Sequence, residues 1–152
     1  MMLLTTTLGE DAVSKESAET LGSVSGVVLD ASSRKITALQ VGKGRKAKVV
    51  SWDAISGVGE AAVIVEDDDA LRDPNEREQR YVGGDVEVIG GLVLSDLGNA
   101  HGSVVDVEYD EHTGAITSIR TQAAVIDSER LRSVGTYAWV VAAADDERTS
   151  AA

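Results

Sequence analysis

The sequence predicts a mainly β protein: two tandem small β-barrels related by internal pseudo-symmetry, each with a short helical turn. Three observations point there. The apolar set is Val, Ile, Leu and Ala, with no Phe in 152 residues and aromatics at 3%. Short segments alternate apolar and polar residues at the period of a half-buried strand. The alternating pattern also occurs twice. Val is β-branched and favours extended chain. With 43% apolar and 26% charged residues the composition is globular rather than disordered. A chain of this size buries roughly 70% of its unfolded surface.

The repeat fixes the elements. Residues 22–39 read GSVSGVVLDASSRKITAL and residues 102–119 read GSVVDVEYDEHTGAITSI, 80 positions apart, with seven of eighteen positions identical. Beyond them the spacing falls to 76, pairing Val49-Val50 with Val125-Ile126, Ile55 with Leu131, and residues 58–65 with 134–141. The first copy carries four extra residues, placed in the loop 42–46, where insertions are tolerated. A tandem duplication accounts for all of this.

Each copy begins with an entering strand, residues 10–13 or 90–93. In the second copy Val105, Val107 and Tyr109 alternate with Asp106, Glu108 and Asp110. The turn DEHTG follows, where Asp110 can cap its own backbone and Gly114 can take a positive φ. Residues 116–121 return to complete a hairpin. The first copy has Arg34 in place of Gly114, so its turn is expected to differ. A third strand (48–51 or 124–127) comes next, then a helical turn (52–56 or 128–133), and a last strand (62–65 or 138–141). The expected boundaries are a first barrel over 1–72, a charged linker over 73–85, a second barrel over 86–144 and a disordered tail over 145–152. Residues 67–80 read as solvated, Pro74 permits a helical turn after it, and Gly83-Gly84 reads as a joint.

These residues resemble the PRC-barrel domain: Gly and Val, an alternating strand ending in Asp, a turn with Thr-Gly, then Ile-Thr and an apolar residue. That domain occurs in the photosynthetic reaction-centre H subunit and in a bacterial ribosome-maturation factor. The resemblance covers about residues 8–66 and 86–142. It implies a barrel used for protein or ribosome contact, with no catalytic residues to carry over. The chain lacks the membrane helix of the first protein and the separate N-terminal barrel of the second, and so resembles a stand-alone tandem PRC-barrel protein.

The charge of −12 and pI near 4.5 oppose general nucleic-acid binding and adsorption on anionic membranes. Cys is absent, which excludes disulfides and thiolate chemistry. The N-terminus has no basic region and only a four-residue apolar run, and no run approaches the ~20 residues that span a bilayer. A cytoplasmic location without membrane insertion is therefore expected. His101 and His112 lie beside turns and read as surface residues. The acidic run 66–69 lacks the spacing of a calcium loop and reads as solvated linker. No cofactor or metal is expected, and no enzyme activity.

Two features remain as candidate partner-binding residues. Lys43, Arg45, Lys46 and Lys48 form the one basic cluster, either a phosphate-tracking finger or charges that guard an edge strand. Trp52 opens the first helical turn where the second copy has Ser128, and reads as an interface anchor or a core residue. Trp139, inside the last strand, reads as buried. The leading expectation is a non-catalytic adaptor for a protein partner, as monomer or homodimer. The alternative is a ribosome- or RNA-associated factor using residues 43–48.

Overall fold

The computed structural model describes residues 1–151, with side chains through Arg148. The chain opens with β1 (Met2–Leu3) and α1 (Leu4–Thr7). The first copy then runs β2 (Asp11–Ser14), β3 (Thr20–Asp30), β4 (Lys35–Val41), β5 (Lys48–Ser51), β6 (Ile55–Val58) and β7 (Ala62–Val65). Helix α2 (Glu76–Val82) precedes the second copy, which is β8 (Leu92–Ser95), β9 (Ala100–Tyr109), β10 (Ile116–Thr121), β11 (Val125–Asp127), β12 (Leu131–Val134) and β13 (Trp139–Val141). Helix α3 (Asp145–Ala151) closes the described chain.

The two sheets repeat one topology. The first has the order β5-β4-β3-β2-β7-β6 and the second β11-β10-β9-β8-β13-β12, with β1 added on β9. In each, the first and last strands of the copy pair in parallel (β2 with β7, β8 with β13), and every other neighbour is antiparallel. The end strands of neither sheet pair with each other, so each barrel stays open at that seam. The predicted strands at 48–51 and 62–65 match β5 and β7. The helical turns are shorter than expected, three-residue 3₁₀ turns at Trp52–Ala54 and Ser128–Arg130. Each passes directly into an unforeseen strand, β6 or β12. Their sequences, ISGV and LRSV, carry too little alternation to reveal a strand.

The hairpin turns are alike, contrary to expectation. Arg34 and Gly114 both take positive φ, 56° and 78°, and Asp30 and Asp110 both accept backbone N–H bonds from the turn. At these turns the copies meet. The Ile36 N–H donates to the Gly114 carbonyl (2.9 Å) and the Ile116 N–H donates to the Arg34 carbonyl (2.8 Å). Both partners are equivalent positions of the repeat, so the contact is isologous within one chain.

The segments leading into the copies are exchanged. β1 pairs with β9 through Met2↔Tyr109 and Leu3↔Glu108, and Thr5 donates to Asp106. Helix α2 packs on β3, where Arg77 and Tyr81 donate to the Leu29 carbonyl. Leu29 and Tyr109 are themselves equivalent. A single core results: Leu4, Val27, Leu29, Leu39, Val50 and Val63 of the first half are continuous with Val93, Val107, Tyr109, Ile119, Ile126 and Trp139 of the second.

The helical turn that Pro74 permits is present as α2: Asn75 and Glu78 form a capping box at its start, and Arg72 makes two 2.7 Å bonds to buried Glu78. Glu78 is the one charged residue of 73–85 that is buried, while Asp73, Glu76, Arg77, Arg80 and Asp85 stay exposed. The tail is helical over Asp145–Ala151 instead of disordered, because Glu147 accepts from Ser95 and Asn99 and contacts His101, and Arg148 pairs with Asp96 at 2.8 Å. Ala152 lies outside the described residues.

Candidate functional site

Strand alternation gives each sheet an inner face, buried in the common core, and an outer face. On the first sheet the outer residues Val28, Ala38 and Val49 form a second apolar cluster, capped by Tyr81 and Val82 of α2. All three are 0% exposed. The free edge of β5 is also closed: Val49 exchanges two 2.9 Å backbone bonds with Arg72, an antiparallel bridge. The Arg72 guanidinium continues to Ser51 Oγ at 2.9 and 3.0 Å.

The equivalent outer positions of the second sheet are Glu108, Ser118 and Val125. Among the described residues no counterpart of α2 lies over them, and Ser118 is nonetheless buried, 8% exposed. Glu108 pairs with Arg120 at 3.2 Å and accepts from Thr117. Val125 is 66% exposed, and among the described residues its strand β11 pairs only with β10. The counterpart of Ser51 is Asp127, an exposed carboxylate whose Oδ1 caps the Glu129 N–H. The two equivalent faces thus differ at their edge: Val49 is fully buried, whereas Val125 is 66% exposed beside a partly buried Glu108 and a buried Ser118. The sequence carried a signal of this: Val28 and Ala38 become Glu108 and Ser118 in the second copy, while Val125 keeps the character of Val49.

The predicted site residues do not form a common site. Lys43, Arg45 and Lys46 are exposed on a 3₁₀ turn, Gly44–Lys46, and make no salt bridge among the described residues. Lys48 is separated from them by its ion pair with Asp73. Trp52 is half-buried against the core and meets Tyr109 edge-on, ring centroids 6.1 Å apart. A Cβ on Gly114 would approach the Trp52 ring to 3.0 Å. Across the repeat the arrangement inverts: Ser128 replaces Trp52, and Arg34 fills the turn and reaches the Glu129 carbonyl at 3.1 Å. The two sequence asymmetries are therefore one packing exchange, large with small on each side of the two-fold. Trp139 is fully buried and donates to the Glu87 carbonyl at 3.1 Å.

The remaining polar groups serve structure. Burial pushes the Tyr109 phenol up to about 12, and it shares a hydrogen bond with Thr7. Both carboxylate oxygens of nearby Glu10 are buried without a partner, and that burial raises its pKa. His101 binds Glu147, while His112 is exposed. In the acidic run, Asp68 accepts from Ser17 and the Asp67 side chain from the Asp69 N–H. Among the described residues no group of His, Cys, Asp or Glu is arranged to hold a metal. No helix of the described residues is long and apolar enough to cross a membrane.

A comparison with family profiles matches residues 1–72 to the PRC-barrel domain. That span includes the whole first sheet. No curated protein matches the chain.

Proposed function

With residues 1–72 matching a PRC-barrel domain, we propose that the whole chain is a tandem PRC-barrel protein acting as a non-catalytic interaction module. The second barrel binds a protein partner and the first braces it. The same proposal places it in the cytoplasm, in keeping with its Cys-free, acidic sequence. One observation carries this reading: α2 and Arg72 bury Val49 at the edge of the first sheet, while its counterpart Val125 at the edge of the second is 66% exposed. An exposed apolar residue on an edge strand is a ready template for another chain. The loop 43–48 is the weaker candidate, since Lys48 is engaged by Asp73 and no aromatic side chain accompanies the others.

Affinity capture from the source cytoplasm, with and without nuclease, tests the choice. Three proteins are compared: the native chain, Val125→Lys, and a variant with Lys43, Arg45 and Lys46 changed to Gln. The expected result is a defined protein set that survives nuclease, is lost with Val125→Lys and is kept by the loop variant. Capture that depends on nucleic acid and on Lys43, Arg45 and Lys46 would replace the module reading with the ribosome- or RNA-associated one.

A further inference from the structure

We propose that the open edge of β11 receives an extended segment of a basic partner protein, an apolar residue followed by arginine, added antiparallel at Val125. The inference rests on the interaction-module reading and names the chemistry of its partner. The first half of the molecule supplies the template. There, Leu71-Arg72-Asp73 runs along β5, both backbone groups of Val49 are bonded to Arg72, and Val49 is fully buried. Val125 is the repeat counterpart of Val49. By the alternation of antiparallel pairs, its N–H and C=O point away from β10, as those of Val49 point away from β4.

None of the described residues closes this edge. After β7 the polypeptide returns along β5, whereas after β13 it turns into α3, which Glu147 and Arg148 fasten to the β8–β9 turn at Ser95, Asp96, Asn99 and His101. The charges around the open edge choose the occupant. Where Arg72 meets the hydroxyl of Ser51, an arriving arginine meets the carboxylate of Asp127, with exposed Glu129 beside it, on a chain of net charge −12. A second copy pairing through the same edge offers no such match, because its strand, Val125-Ile126-Asp127, carries no arginine.

The test uses the full chain and two acetylated, amidated hexapeptides, Leu-Arg repeated three times and Leu-Glu repeated three times. Binding is followed by amide chemical shifts and by titration at low and high salt. The arginine peptide is expected to shift the amides of residues 124–128 and to weaken with salt, while the glutamate peptide leaves them unchanged. Val125→Pro removes only the outward N–H donor at an edge position and is expected to lower affinity about tenfold. Asp127→Asn keeps the cap on Glu129 and is expected to lower it severalfold. Equal binding of both peptides, shifts centred on another surface, or no binding at millimolar peptide would overturn the edge assignment. If Val125→Pro abolishes peptide binding yet the native partner set is still captured, the module reading stands and the β11 assignment fails. If the peptide binds as expected and no partner is captured, the failure lies with the module reading.

Discussion

Gly114 shows how one backbone angle organises the contact between the copies. Its φ of 78° is open to glycine without strain, and the space a side chain would need is taken by the Trp52 ring and the Ile36 carbonyl. Gly114→Ala is expected to destabilise the protein by about 1–3 kcal/mol, from left-handed strain plus overpacking. Urea denaturation measures it. In Trp52→Ser the ring is gone, so the same Gly114→Ala change should cost less, a coupling that a double-mutant cycle detects. Glu10 predicts the opposite sign. Its buried, unpartnered carboxylate has a raised folded pKa, so its charge opposes folding at neutral pH and the cost falls away in acid. Glu10→Gln is expected to raise the thermal midpoint at pH 7 and to make no difference at pH 3. At this scale the sequence was legible where a residue's neighbours are local, as at the Asp110 turn. It left Trp52 open between interface anchor and core residue, because the environment of that side chain is set by a turn 62 positions away.

Among the elements, α2 illustrates how charged sequence becomes structure. A run dense in both signs reads as solvent-facing, yet its Arg72–Glu78 pair is bidentate and Glu78 is only 4% exposed. The Arg72 hydrogen bonds hold the Glu78 carboxyl below its usual value of 4.5. The stability this contributes is present above about pH 4.5 and is lost as the pH falls through the lowered folded value. Glu78→Gln should remove that part of the acid dependence and cost about 1–3 kcal/mol at pH 7. Asn75→Ala, which removes the cap, should cost about 1 kcal/mol. Both are read from denaturation midpoints across pH 3–7. Strands β3, β4, β5 and β7 were legible because each buries a periodic face. Strands β6 and β12 were not, because so short an edge strand with Gly or Ser inside it has no period of its own.

At the level of the whole molecule, the duplication read from sequence appears as two sheets of identical order, but not as two separable bodies. The core crosses the two-fold, the turns of the copies bond to each other, and each leading segment packs on the opposite copy. A fragment of residues 1–72 therefore lacks α2, which covers Val28, Ala38 and Val49, and leaves β1 without β9. It is expected to show no dispersed amide spectrum alone, while the full chain unfolds in one transition. Circular dichroism and NMR of the two would decide it. The exchange was invisible in the sequence because a repeat shows which segments are alike and not which copy each one packs on. It also sets a clock on synthesis. Met2 finds its partner only at Tyr109, so at ~5–20 residues per second the newborn N-terminus is without its strand partner for on the order of 5–20 s while the rest is translated. Slow codons in the second half would lengthen that interval, making exposure to proteases and holding chaperones a matter of translation speed as much as of final stability.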